Sequence, residues 1–290
     1  MTDVVPFPRY GIPGYYALAD LPQRAPLKDS VLSTGWSELD LIFRLYPEQF
    51  TVITGKPGHG KSTFVFNLLI NVSRLHSIRS FVYGPENEDD LDDKLQRIWL
   101  AGDRSDGAQG RFEYFRGSQI FLQSNRLAPR EDTKTIGWVL GRAAIAVEKD
   151  RCELVVIDPW NWIERIRQRD QPLTEYINDC LYDVKDFAQH FGVMVIMIGH
   201  PTKAVNEHGG RTPTLYDIEG SANWANKCDN GLVITRDSDT GITKIISMKV
   251  RQEPYAGRPG SKNFWVDGDS GLFVPYVGAA SEYEPPAKKY

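Results

Sequence analysis

The sequence predicts an α/β protein with a mainly parallel, twisted sheet, helices on both faces and a C-terminal β-hairpin. Three observations carry this expectation. Short, wholly apolar runs at residues 154–157 (LVVI) and 193–198 alternate with longer segments of helical periodicity, the pattern of a parallel sheet buried on both faces. A glycine-rich segment joins a β-rich run at 49–54 (QFTVIT) directly to a helical segment at 62–75. Near the C-terminus, β-rich runs at 231–235 and 242–250 flank the turn Asp237-Ser238-Asp239-Thr240-Gly241, which suits antiparallel pairing.

Taken in order, residues 1–32 carry Pro6, Pro8, Pro13, Pro22 and Pro26. Proline fixes φ and removes a backbone donor, so an extended N-terminal arm is expected there. Residues 33–275 form the folded unit, one domain by length. The first strand covers 49–54. In the helix at 62–75, Phe64, Val65, Leu68, Leu69 and Val72 recur at helical spacing. A strand at 79–83 and a helix at 91–101 follow. Trp138, Leu140, Ala144, Ile145 and Val147 mark a helix at 137–150. The apolar strand 154–157 ends in Asp158, a helix spans 174–189, and the strand 193–198 ends in Gly199-His200. Residues 276–290, with Pro285-Pro286 and Lys288-Lys289, read as a flexible tail.

The chain has 290 residues, 41% hydrophobic and 25% charged, with net charge −4. This is the composition of a globular protein with a real core, and it excludes disordered, collagen-like and coiled-coil chains. It also excludes a uniformly basic surface, though not a locally basic channel. Three scattered cysteines, Cys152, Cys180 and Cys228, suit neither a disulfide framework nor a zinc ribbon and fit a reducing compartment. Residues 1–23 lack the basic start and apolar core of a signal peptide. No apolar run approaches the roughly 20 residues that cross a bilayer. A cytoplasmic protein with no membrane partner is expected; a phage protein in the host cytoplasm fits equally.

The chemistry concentrates in Gly55-Lys56-Pro57-Gly58-His59-Gly60-Lys61-Ser62-Thr63, which fits G-x-x-x-x-G-K-[ST] between a strand and a helix. Its glycines let backbone N–H groups turn inward as an anion nest, and the helix N-terminus adds partial positive charge. In such a loop Lys61 reaches the β/γ-phosphates and the Ser62 hydroxyl ligates Mg²⁺. Asp158, at the tip of a buried strand, can hold Mg²⁺ or its water shell.

Other residues keep two readings. Glu86 follows the strand at 79–83, and is either the water-activating base or the start of a solvated acidic run with Glu88, Asp89, Asp90, Asp92 and Asp93. As a base it would stand on a strand next to the phosphate-loop strand. His200 is either a γ-phosphate sensor or a satisfied core histidine. Lys249 and Arg251 alternate onto one side of the last strand. Arg251, with no local acidic partner, is either an arginine supplied to a neighbouring subunit's phosphate or an ordinary surface residue. Two basic loops suit phosphate-backbone contacts: residues 164–172, with Arg165, Arg167 and Arg169, and residues 201–217, with Lys203, His208 and Arg211. No aromatic is interleaved with their basic residues to form a stacking platform.

The order of motifs resembles a known family. Ser33-Thr34-Gly35-Trp36 with Leu39-Asp40 precedes the phosphate loop and Pro85-Glu86-Asn87. Then come Asp158-Pro159-Trp160-Asn161, Gly199-His200-Pro201-Thr202-Lys203, the segment from Tyr216 to Trp224 (YDIEGSANW), and Lys249-Val250-Arg251. Over roughly residues 30–275 this resembles the RecA-like P-loop NTPase motor domain of DnaB-type replicative helicases, nearest the Twinkle and phage primase–helicase branch.

The resemblance implies a hexameric ring that hydrolyses ATP or another NTP or dNTP with Mg²⁺. The ring would move 5′→3′ along single-stranded DNA at a replication fork, with nucleotide between subunits. It implies that Lys61 and Ser62, with Gly55, Pro57, Gly58, His59, Gly60 and Thr63, hold nucleotide and Mg²⁺. Glu86 would be the catalytic glutamate, Asp158 the Walker B aspartate and His200 the sensor. Arg251, with Lys249 beside it, would act in trans. Lys203, Arg211, Gly220 and Ser221 would face DNA, with Arg167 a further candidate. The first 32 residues are too few for a primase or zinc-binding module, so a separate primase or polymerase is an expected partner. A RecA/RadA-like recombination or repair ATPase and a nucleotide-switched loader that unwinds nothing are the alternatives.

Overall fold

The computed structural model describes residues 26–122, 132–202, 211–220 and 222–276. It contains a single nine-stranded sheet with helices on both faces. In chain order the elements are α1 (Ser37–Asp40), β1 (Phe50–Thr54), α2 (Lys61–His76), β2 (Ser80–Tyr83), α3 (Leu91–Gly102), α4 (Ala108–Ser118), β3 (Ile120–Leu122), α5 (Ile136–Asp150), β4 (Leu154–Ile157), α6 (Leu173–Phe191), β5 (Met194–Ile198), α7 (Asn223–Lys227), β6 (Asn230–Arg236), β7 (Thr243–Val250), β8 (Gly260–Val266) and β9 (Phe273–Pro275).

The strand order is β3-β2-β4-β5-β1-β6-β7-β8-β9. The first six are parallel, and β6 to β9 pair antiparallel. Every residue of β1, β2, β4 and β5 is buried, which is why these strands read as continuous apolar runs rather than alternating ones. Alternation survives in which face each side chain meets. Ile53, Val82, Val156 and Ile196 join the core under α2, α3 and α4. Val52, Phe81, Val155 and Val195 join the core under α5, α6 and α7.

One expectation is extended and two need correction. The expected C-terminal hairpin, β6 and β7, is present and forms the first half of a four-strand antiparallel wing. Its second hairpin, β8 and β9, repeats the first turn in a different spelling. Asp237 Oδ1 accepts from Thr240 N–H (2.8 Å) and its hydroxyl (2.9 Å). Asp267 Oδ1 accepts from Ser270 N–H and its hydroxyl, both at 2.7 Å. Such aspartate turns fix a tight reversal locally. Next, β2 does not neighbour β1, because β4 and β5 lie between them. Last, the end of the expected arm is attached to the fold: residues Leu27–Asp29 make a 3₁₀ turn, and Leu32 pairs with Leu45 by two backbone bonds of 2.7 and 3.2 Å. Residues 1–25 and 277–290 lie outside the described residues.

Candidate active site

Parallel sheets collect ligands at the carboxyl ends of their strands, and the phosphate loop lies there, between Thr54 and α2. Gly55 opens it at φ +151; a Cβ there would stand 2.0 Å from the Ile234 carbonyl oxygen, so β6 packs too closely for any side chain. His59 Nδ1 accepts the Arg236 N–H at 2.8 Å, tying the loop to the end of β6. The Lys61 ammonium donates to the Gly55 and Lys56 carbonyls at 2.8 and 3.0 Å. Burial pushes Lys61 down to about 8, opposed by the charges of Asp158 and Glu86. A polyphosphate in the loop would favour the charged form again.

Pro57, Gly58, Gly60, Lys61, Ser62, Thr63, Glu86 and His200 line one cavity of about 480 Å³. Glu86 reaches it although two strands, β4 and β5, lie between β2 and β1. Its Oε1 accepts from the Trp162 indole N–H at 2.8 Å. Asp158 is 1% exposed and receives the Ser62 hydroxyl. Burial pushes its carboxyl up to about 6, against that hydrogen bond. Asp158 Oδ2 is buried with no partner among the described residues. A carboxylate oxygen left open beside a serine hydroxyl fits Mg²⁺, which uses few protein oxygens and completes its shell with water and phosphate. Ser62 and Asp158 would hold it, and it would supply charge neutralisation for the phosphates.

His200 stands at the tip of β5. Its backbone N–H donates to Asn161 Oδ1 at 3.1 Å, and its Nδ1 is buried without a partner among the described residues. Burial, then the nearby Lys61 charge, pushes the imidazole below its ordinary range, against Glu86, which favours the uncharged ring beside the phosphate cavity.

Lys249 and Arg251 lie elsewhere. β7 runs against β6, and Val250 pairs with Asn230 at the start of β6, the amino edge of the parallel strands. The five residues of β1 separate that edge from the phosphate loop, roughly 15 Å at strand rise. Arg251 is half exposed and does have an acidic partner, which corrects the expectation: its Nε is 2.7 Å from Asp229 Oδ1. Lys249 donates to the carbonyls of Ala225 (2.7 Å), Cys228 (2.7 Å) and Asn226 (3.3 Å). That uses all three protons of its ammonium and closes the end of α7, so Lys249 is an internal anchor here rather than a free cation beside Arg251.

Of the nucleic-acid candidates, Lys203 and Ser221 lie outside the described residues. Arg211 is exposed and makes a two-pronged ion pair with Asp217, at 2.8 and 2.5 Å. Arg167 is exposed and donates to the Gln171 carbonyl at 3.0 Å. Gly220 has φ +93, a backbone region that favours glycine, and a Cβ there would also push on the tip of Ile177, with Cδ1 at 1.9 Å, so the local backbone alone accounts for glycine. Tyr216, 65% exposed, stands beside Asp217 and supplies the surface aromatic that the loop reading lacked. Sequence reasoning also missed Trp162 and Asp229. Trp162 finds Glu86 from 76 residues away, and Asp229 gathers the Phe50 amide, Lys185 and Arg251 from separate elements; no local pattern announces such pairs.

A phosphate loop at the carboxyl edge of a parallel sheet, with Asp158, Glu86 and His200 on neighbouring strand tips, defines a RecA-like P-loop NTPase domain. The family model described as "AAA domain" matches residues 39–206. The chain belongs to that family and is a motor domain of DnaB type. It is 31% identical over 256 residues to the chloroplastic/mitochondrial Twinkle homolog of Arabidopsis thaliana, covering 83% of this chain and 36% of that protein. It is 23% identical over 271 residues to the replicative DNA helicase DnaB of Rickettsia felis, covering 87% and 53%. The chain thus spans about a third to a half of these curated relatives. The fold matches a solved ATPase domain at TM-score 0.67 and 18% identity, covering 85% of this chain and 91% of that one. It also matches, at TM-score 0.67 and 17% identity, a DnaB-like replicative helicase studied with primase, covering 85% and 63%. Among the described residues no helix is long and apolar enough to cross a membrane.

Proposed function

We propose that this chain is the NTP-hydrolysing motor of a replicative DNA helicase, spanning about residues 33–275. Its copies would form a hexameric ring that moves 5′→3′ on single-stranded DNA and separates the duplex. One observation carries the reading. Lys61, Ser62, Glu86 and His200 surround a single cavity, with the open Asp158 oxygen beneath Ser62. A fold that only bound phosphate would not need a carboxylate opposite its lysine.

In this reading the loop amides and Lys61 bind the triphosphate of ATP or another NTP or dNTP, and Ser62 and Asp158 hold Mg²⁺. Glu86 takes a proton from the attacking water. Neutral His200 senses the γ-phosphate through its free ring nitrogen, and its backbone bond to Asn161 ties it to residues 160–162. Arg251, far from its own chain's loop, reaches the phosphates of a neighbouring copy by leaving Asp229. Exposed Arg167, Arg211 and Tyr216, with the segments holding Lys203, Gly220 and Ser221, face the nucleic acid. A separate primase or polymerase completes the replication machinery.

The test uses the full chain with nucleotide, Mg²⁺ and a 5′-tailed fork. Wild type should hydrolyse nucleotide and displace the strand. Lys61→Ala should lose nucleotide binding, and Glu86→Gln should bind nucleotide without turnover. Closed rings in electron micrographs with a non-hydrolysable nucleotide are expected. Open filaments would favour a recombination ATPase, and hydrolysis without displacement would favour a loader.

A further inference from the structure

The 3₁₀ turn Trp160–Trp162, immediately after Asp158-Pro159, sends its three side chains to three different parts of the molecule. Trp162 donates its indole N–H to Glu86 Oε1 at 2.8 Å. Asn161 accepts the His200 backbone N–H at 3.1 Å. Trp160 is fully buried and meets Trp224 edge-on at 5.5 Å; Trp224 in turn donates to the Glu219 carbonyl at 2.9 Å. From the same segment, Arg165 grips the Glu219 carboxylate at 3.2 and 2.7 Å. One short turn therefore touches the carboxylate over the phosphate cavity, the histidine beside it and the segment around Gly220.

The Trp162–Glu86 bond is informative because of what an indole can do. It donates and cannot accept. It fixes one oxygen of the carboxylate and leaves the other for a water molecule. Trp162 is itself 48% exposed, so packing explains little of its identity, and it does not line the phosphate cavity.

We propose that Trp162 is the positioning residue for Glu86: its N–H sets the carboxylate toward the attacking water, and the turn that carries it ties that setting to the largely exposed segment at residues 164–172. This rests on Glu86 being the base. An untethered carboxylate would sample several rotamers around its side-chain torsions, and only some would present an oxygen to the water.

The experiment measures hydrolysis by the full chain with Mg²⁺ and single-stranded DNA, for Trp162→Phe, Glu86→Gln and the double variant. Trp162→Phe keeps the ring and removes the donor. Its kcat should fall about tenfold, the scale of one hydrogen bond to a charged group, with KM and nucleotide affinity within about twofold of wild type. Trp162→His, which keeps a ring N–H, should retain more turnover than Trp162→Phe. Single-turnover runs at high enzyme concentration read the slow residual hydrolysis that Glu86→Gln keeps below steady-state detection, and on that background Trp162→Phe should cost nothing further. A kcat for Trp162→Phe within about twofold of wild type, equal losses in Phe and His, or an undiminished cost on the Glu86→Gln background would each overturn the proposal. Wild-type turnover by Glu86→Gln would instead remove the assignment of Glu86 as base, whatever Trp162 does.

Discussion

Asp229 is the sharpest test of how the fold is held. Its side chain is 1% exposed at the amino end of the central strands. Oδ2 accepts the Phe50 backbone N–H at 2.8 Å and the Lys185 ammonium at 2.5 Å. Oδ1 faces Arg251 Nε at 2.7 Å, close but out of line for a hydrogen bond. Asp229→Ala removes the acceptor for the first amide of β1 and takes its counter-ion from the Lys185 ammonium, which keeps only the Glu48 carbonyl at 2.9 Å. Breaking a buried pair from one side costs about 3–5 kcal/mol, and an orphaned buried amide about 1–3 kcal/mol on its own. Arg251, half in solvent, contributes under about 1 kcal/mol, so Arg251→Ala should be nearly silent in stability. Asp229→Asn keeps one acceptor oxygen and should fall between wild type and Asp229→Ala. Urea unfolding followed by circular dichroism, with unchanged m-values, gives the order. If Asp229→Ala unfolded within about 1 kcal/mol of wild type, or if Arg251→Ala were the more damaging, Lys185 and Phe50 could not be what Asp229 serves.

Three further outcomes are expected. Asp158 has a folded-state pKa raised from 3.8 to about 6, so its contribution to stability is intact below the unfolded value and is lost as pH rises through about 6. Without Mg²⁺ or nucleotide, Asp158→Asn should therefore gain on wild type between pH 4 and pH 7, by about 3 kcal/mol at most; a difference that stays flat with pH would contradict the cause assigned. Gly55→Ala drives a methyl to 2.0 Å from the Ile234 carbonyl, so the variant should unfold at clearly lower urea or bind nucleotide poorly, and a wild-type-like protein would show that the loop can move off β6. Arg251→Ala chains mixed with Lys61→Ala chains should recover part of the hydrolysis that each lacks alone, and no recovery at any ratio would count against action in trans.

The phosphate loop and the four central strands were legible because their causes are local. Gly55 to Thr63 must have that spacing to wrap a phosphate, and β1, β2, β4 and β5 must be apolar throughout when covered on both faces. The outer elements were not. In β8, exposed Ser261 and half-buried Lys262 dilute the apolar signal, and β3 is three residues long. The site shows the same division. Lys61, Ser62 and Asp158 follow from motif and strand tip. The Glu86–Trp162 and Arg251–Asp229 pairs arise only when the sheet brings distant segments together. Arg251 shows no acidic partner along the chain because Asp229 meets it only across the β6–β7 hairpin. Lys249 looked available for the same reason, until α7 and the residue after it supplied three carbonyls.

The nucleotide loop and Arg251 occupy opposite ends of the same strands, and this gives each copy a head and a tail. A two-fold dimer can match tail to head only with both matches made at once, the copies lying antiparallel, and it then stops at two. Head-to-tail stacking makes one such match per interface, and those contacts either close on themselves or continue as an open helix. With Arg251 acting in trans as proposed, an unclosed stack leaves one terminal pocket without a neighbour's guanidinium.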